Sequence, residues 1–254
     1  MDSFPSSEPL RPVTQSEIAS FASDGVVYLP NIVEKNWIEL LNSSLELMLK
    51  DSKMFADLTA LSSDLNKTQG LAAITENESK AGRFLSGVDH WKEDKNFAAF
   101  AKISPLPSIV AKLMNSKTVY LYEDSVLIKE PCTAEETAFH QDLGYFHLKG
   151  ENVCTVWAPL DHVDSETGSV VYLRSSHKNK KVFKPNWFVV NEPLPDVEGN
   201  DLPNIEIDDK KLDLVRFDTK PGDLVVHHAL TLHGAGANSS AARERRAVSV
   251  RYCG

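Results

Sequence analysis

Cysteine is scarce in this chain: three residues in 254, Cys132, Cys154 and Cys253, an odd number, far apart and without a Cys-x-x-Cys pair. That spacing excludes a disulfide framework, a thiolate zinc knuckle and a redox dithiol as organising features, and a reducing compartment fits it best. Long apolar runs are missing as well, since no window approaches the ~20 residues that a spanning helix needs. The opening MDSFPSSEPLRPVTQ lacks a basic segment followed by an apolar one, so no secretory leader is read there. Basic residues are outnumbered, 27 Lys and Arg against 36 Asp and Glu, for a net charge of -9. This balance argues against nucleic acid or an anionic membrane as partner. With no internal repeat or low-complexity tract either, the expectation is a cytoplasmic protein with no membrane span.

What is present is globular in composition: 42% hydrophobic and 25% charged residues, enough for one packed core at this length. Residues 1–13 hold three prolines and three serines and read as a flexible N-terminal arm, leaving residues 14–254 as a single domain. Within it, residues 14–117 read as mostly helical. Thr14 with Glu17 forms a capping-box pattern, and Gly25 stands where a left-handed helix end belongs. Trp37, Leu40, Leu41, Leu45 and Met48 recur at helical spacing and mark a core stripe, and DKNFAAFAKI and PLPSIVAKLMN read as two further helices. Residues 118–254 change texture. TVYLYEDSVLIKE, TAFHQDLGYFHL, NVCTVWAPLDHV, GSVVYLRSSH, KVFKPNWFVV, LDLVRFDT, GDLVVHHALTLH and RRAVSVRYCG are short β-rich runs between turn signals. Such a series predicts a jelly roll or barrel with helices packed outside it.

Inside these runs lies a pattern with chemical content. On an extended strand His140 and Asp142 share a face while Gln141 points the other way. A divalent metal held by one histidine and one carboxylate needs a further ligand, and two histidines with one carboxylate make an oxygen-activating iron site with open positions. His-x-Asp alone is a weak signal, and by itself it reads first as a solvated strand edge. PGDLVVHHALTLHGAG offers candidates for the second histidine: His233, followed by small residues that leave room, and His227, which parity puts on the same side of an uninterrupted strand. His228 faces away. His227 and His228, in mid-strand, are read as buried core or supporting histidines. Beyond them, alternation in RERRAVSVRYCG puts Arg245, Ala247 and Ser249 on one face, a guanidinium and a hydroxyl suited to clamping a dicarboxylate. Taken alone that stretch reads as a solvated basic strand end.

Together HQDLGYF, VWAPLDHVDSETGSVVYLRSSHK, GDLVVHHALTLHGAGANSS and RRAVS resemble the phytanoyl-CoA dioxygenase family of iron(II)- and 2-oxoglutarate-dependent oxygenases, over roughly residues 14–254. The resemblance implies a mainly β fold, a double-stranded β-helix (jelly-roll, cupin-like) core with surrounding helices. It implies His140, Asp142 and His233 as ligands of Fe(II), and Arg245 as the partner of the distal carboxylate of 2-oxoglutarate. Ser249 lies on the same face as Arg245, and Trp157 matches a tryptophan that lines the cosubstrate pocket. The implied activity is oxidation of an aliphatic C–H of a small molecule by O2 with release of succinate and CO2. The alternative is a catalytically inactive metal-binding jelly roll with a structural or sensing role. Two departures mark this chain: Arg245 lies 12 residues after His233, one more than in the phytanoyl-CoA enzyme, and the family's cosubstrate lysine falls near Gly87. Tyr145, Phe146 and the stretch around residues 60–90 are candidates to line or cover the entrance.

Overall fold

The computed structural model describes residues 4–51, 53–68, 82–148 and 150–254. Helices α1 (Gln15–Asp24), α2 (Lys35–Met48), α3 (Leu58–Thr68), α4 (His90–Glu93), α5 (Lys95–Lys102) and α6 (Leu106–Leu113) occupy the first half together with three strands. These are β1 (Val26–Leu29), β2 (Ala56–Asp57) and β3 (Phe84–Val88). The second half supplies β4 (Tyr120–Lys129), β5 (Thr137–His140), β6 (Val153–Pro159), β7 (Val170–Leu173), β8 (Leu214–Arg216), β9 (Leu224–His228), β10 (His233–Ala235) and β11 (Arg245–Cys253). They form a seven-stranded sheet in the order β1-β9-β6-β11-β4-β3-β2 and a four-stranded sheet in the order β5-β10-β7-β8. All pairings within the two sheets are antiparallel, and the two face each other as a jelly roll.

Parity explains the larger sheet. Its even-numbered residues Val126, Ile128, Val156, Ala158, Val226, Val248 and Val250 join Trp37, Leu41, Leu45, Phe97, Phe100 and Ile109 of the helices in one buried cluster. Each such side chain contributes about 1.5–3 kcal/mol on full burial. On β4, β6, β9 and β11 the odd-numbered residues face the smaller sheet, which is why every residue of β6 is buried and its sequence reads as a continuous apolar run. The helix signals are met at both ends of α1: Thr14 and Glu17 form the reciprocal cap, and Gly25 takes φ 74°. Of the α2 stripe, Trp37, Leu41 and Leu45 are fully buried, while Leu40 and Met48 pack at its edge.

Three expectations need correction. Residues 4–13 are no free arm: Phe4 stacks on Trp37 with centroids 5.9 Å apart, and the indole Nε1 donates to Ser6 O at 2.9 Å. Arg11 also grips Glu17 through two hydrogen bonds of 2.7 and 3.0 Å. Apolar residues at its start and a guanidinium outweigh the proline content. Second, KVFKPNWFVV forms no strand. Pro185 cannot donate to a ladder, Phe188 turns the chain at φ 69°, and only isolated bridges, Phe183 to Asn200 and Asn186 to Pro193, survive. Third, the half read as mostly helical lends the main sheet β2 and β3 in addition to β1, whose VVYLP run reads as a strand in the sequence; β2 has only two residues, and Ser86 and Gly87 interrupt the apolar run of β3. Of the stretch expected to cover the entrance, residues 69–81 lie outside the described residues.

Beneath the helices, Asp124 and His90 form a buried titratable pair, Nδ1 to Oδ1 3.9 Å. Burial pushes the Asp124 carboxyl up to about 7, against the Trp91 N–H bond and the charge of Arg251, and pushes His90 down to about 4. A carboxyl raised on folding keeps its proton where the unfolded chain has lost it, so it removes stability as pH rises from about 4 through 7. Asp124→Asn should therefore stabilise the protein more at pH 8 than at pH 5, read as urea midpoints. Equal gains at both pH values would contradict the assignment.

Candidate metal centre

His140 ends β5, and its Cα is the register partner of His233, the first residue of β10. The two rings come to 4.3 Å between centroids. Each Nδ1–H donates to the carbonyl two residues earlier, His140 to Ala138 O at 2.8 Å and His233 to Thr231 O at 2.9 Å. That fixes both tautomers with Nε2 free as ligand. Both Nε2 atoms stand 3.7 Å from Asp142 Oδ1, a separation suited to ligands on one cation at about 2.1 Å each. The three side chains are buried, with ligand atoms within 4.8 Å of one another.

Asp142 shows one oxygen to this gap because the other is occupied. Oδ2 accepts from Thr155 Oγ1 in a very short bond and from His227 Nε2 at 3.1 Å. Burial alone would raise this carboxyl, but the surrounding imidazoles of His140, His227 and His233, with the His227 hydrogen bond among them, hold it well below the usual carboxylate range. His233 is pushed well down by burial and by the neighbouring His140 and His227. The donor set is two imidazoles that turn Nε2 to the gap and a carboxylate, which suits a divalent transition metal. Supporting contacts of this kind are worth about 10–100-fold in metal affinity. Thr155→Val, which keeps the shape and removes the donor, should weaken iron(II) binding by about 10-fold in a competitive chelator titration. Unchanged affinity would show that the Thr155 bond does not tune Asp142.

The strand reasoning needs two amendments here. β5 stops at His140 and Asp142 opens a 3-10 turn, Asp142–Tyr145, so the pair converges through a turn and not through strand alternation. GDLVVHHALTLH is no single strand either, for it breaks after His228 and crosses to the other sheet before His233. His227 and His233 therefore approach Asp142 from opposite walls, rings 4.4 Å apart. His228 packs on His177 at 5.2 Å, and its Nδ1 accepts from Leu230 N–H at 3.0 Å. Gln141, facing away, ties the crossing down: Nε2 donates to Leu230 O at 2.7 Å and Oε1 accepts from Phe183 N–H at 3.0 Å. Gly234 lets β10 lie this close, since a Cβ there would meet Thr137 O at 2.8 Å.

The trio lines a pocket with about 410 Å³ of empty space, part of it open solvent, whose far wall carries Trp157, Arg245 and Ser249. Arg245 is buried, its guanidinium 5.9 Å from the Trp157 ring, with Nε and Nη2 donating to Gly168 O at 3.3 and 3.0 Å. Nη1 has no partner among the described residues, and neither do Trp157 Nε1, Tyr172 Oη and Thr137 Oγ1. Burial lowers the Arg245 pKa to about 10, Tyr172 opposing it. A buried guanidinium without a carboxylate is costly unless an anion completes it, and 2-oxoglutarate offers one. Gly87 does not face this wall: a Cβ there would lie 2.6 Å from His90 Nε2, beneath the helices. Lys129, the neighbour of Arg245 on β4, donates from Nζ to the carbonyls of Glu135 and Gly236 at 2.8 and 2.6 Å, bracing the chain before β5 and after β10. Tyr145 packs edge-on against His140 at 5.6 Å and donates to Asn186 Oδ1 at 2.6 Å.

Sequence reasoning passed over Thr155, Tyr172 and Phe188. Thr155 stands two residues before Trp157, so alternation from that tryptophan would have turned it inward. Phe188, 5.0 Å from the His140 ring, was hidden in a stretch read as a strand.

Fold and site together fit a class: jelly-roll proteins in which two histidines and one carboxylate are placed so that they could hold a metal ion. The chain belongs to the phytanoyl-CoA dioxygenase (PhyH) family, whose model matches residues 21–247. It is 20% identical over 236 residues to the peroxisomal phytanoyl-CoA dioxygenase of Mus musculus, covering 91% of this chain and 66% of that protein. A probable α-ketoglutarate-dependent hypophosphite dioxygenase of Stutzerimonas stutzeri is 26% identical over 144 residues, 51% of this chain and 43% of its own. The chain thus spans between 43% and 66% of the length of these curated relatives. The same fold appears in the α-ketoglutarate-dependent epimerase SnoN of nogalamycin biosynthesis (TM-score 0.67, 19% identity, 94% of this chain and 80% of that one). It recurs in EctD of S. alaskensis (TM-score 0.67, 14% identity, 96% and 78%). No helix among the described residues is long and apolar enough to cross a membrane.

Proposed function

We propose that the protein is an iron(II)- and 2-oxoglutarate-dependent oxygenase that oxidises an aliphatic C–H of a small molecule, with release of succinate and CO2. The observation that carries this reading is the buried Arg245, without a carboxylate partner among the described residues, on the wall of the cavity that the His140, Asp142 and His233 side chains share. His140 Nε2, Asp142 Oδ1 and His233 Nε2 would hold the iron, and Arg245 Nη1, beside Trp157 and Ser249, the far carboxylate of 2-oxoglutarate. When bound, the metal supplies oxygen activation coupled to decarboxylation of the keto acid. The residues of the chain supply position: carbonyl-locked imidazoles present Nε2, and Thr155 and His227 keep Asp142 ionised with one oxygen forward. Phe188, Tyr172 and Trp157 keep the site poor in water. Asp142 as a carboxylate favours oxygenation over halogenation, because a halide would have to take the place of that ligand.

The test is release of labelled CO2 from 1-14C-2-oxoglutarate with matching succinate, dependent on iron(II). Iron-independent release, or none with iron bound and a panel of small molecules present, would overturn the proposal.

A further inference from the structure

The inward face of β11 carries a second arginine. Arg251 lies six residues beyond Arg245 on the same odd-numbered face, its Cα about 20 Å along the strand, and lines the same cavity. Where Arg245 sits over Trp157, Arg251 sits over Phe146, 5.7 Å from the ring. Its side chain is 11% exposed. Nη1 donates to Ser125 Oγ at 2.7 Å, while Nε is buried with no hydrogen-bond partner among the described residues. Glu123 Oε1 stands 3.6 Å from Nη1, beyond hydrogen-bond range. Glu123 thus balances the charge in part and leaves the Nε–H without an acceptor among the described residues. Across the sheet, Arg251 is in register with Thr155, whose hydroxyl supports Asp142. An anion on Arg251 would therefore lie beside the metal ligands, where Asp142 and Glu123 would otherwise repel it.

We propose that Arg251 binds the substrate and that the substrate is a small organic acid held through its carboxylate, with its aliphatic carbon directed at the metal centre. The reading rests on the oxygenase function proposed above. A guanidinium edge with an unused Nε–H matches a carboxylate through two parallel bonds, whereas an uncharged thioester or amide carbonyl offers it no charge.

The experiment uses the full chain loaded with iron(II) and 2-oxoglutarate under nitrogen, titrated calorimetrically with linear and branched C4–C8 carboxylates and their primary amides. At least one acid should bind 30-fold or more tightly than its amide. Arg251→Gln should abolish that preference while changing the Kd of 2-oxoglutarate less than twofold, and Arg251→Lys should restore part of it. Glu123→Gln, which removes the competing carboxylate, should tighten acid binding several-fold, an effect that a purely structural Arg251 would not produce. Equal binding of acids and amides by the parent protein, or a preference that survives Arg251→Gln, would overturn the proposal. Failure of the parent protein to bind iron and 2-oxoglutarate at all would appear before any acid is added and would overturn the oxygenase reading itself.

Discussion

His233→Ala is expected to abolish tight iron(II) binding and to lower iron-dependent succinate release at least ~1,000-fold, the whole contribution of the metal, while the far-ultraviolet circular dichroism stays that of the parent. The loss is large because β10 holds only three residues, His233–Ala235, and among them only His233 reaches Asp142 Oδ1. His227 cannot take over without giving up its bond to Asp142 Oδ2, which keeps the other oxygen forward. Asp142→Ala should be as severe for iron and worse for stability, since Thr155 Oγ1 and His227 Nε2 lose their acceptor at a cost of about 1–3 kcal/mol each. Iron affinity within threefold of the parent in His233→Ala would place the metal elsewhere.

Arg245→Met should move two quantities in opposite directions. Affinity for 2-oxoglutarate should fall at least ~100-fold, as expected on losing a charge-assisted contact in a buried site. The protein without cosubstrate should gain about 1–2 kcal/mol, since an apolar chain replaces a buried charge that no carboxylate balances. Only the two bonds to Gly168 O, at 3.0 and 3.3 Å, oppose that gain. A structural arginine would behave otherwise: the variant would lose stability and keep its cosubstrate affinity. Isothermal titration and a thermal melt of the same preparation separate the two cases.

Much of this site was legible because β-strand alternation and turn chemistry are local. Arg245 and Ser249 face the cavity on β11 as their spacing predicts, and the trio His140, Asp142 and His233 converges. Local periodicity could not show where a strand ends. Asp142 reaches the metal gap through a 3-10 turn, and the Ala229–Leu232 crossing separates His227 from His233 by a whole sheet. Both depend on long-range clamps, Gln141 to Leu230 and Leu143 N–H to Ala229 O at 3.0 Å, which no window of sequence contains. The same limit hid the inward turn of Phe188 and the strand at Phe84–Val88, whose five residues gain their place only by pairing with β4.

The central claim is that three buried ligands and one unpaired guanidinium are completed by iron(II) and 2-oxoglutarate in a single cavity. Anaerobic titration of the protein with both, followed in the visible spectrum, tests it most directly. The account predicts a weak charge-transfer band that saturates at one iron and one keto acid per chain and is missing from both His233→Ala and Arg245→Met at equal concentrations. Iron bound without such a band, or a band undiminished in either variant, would contradict it.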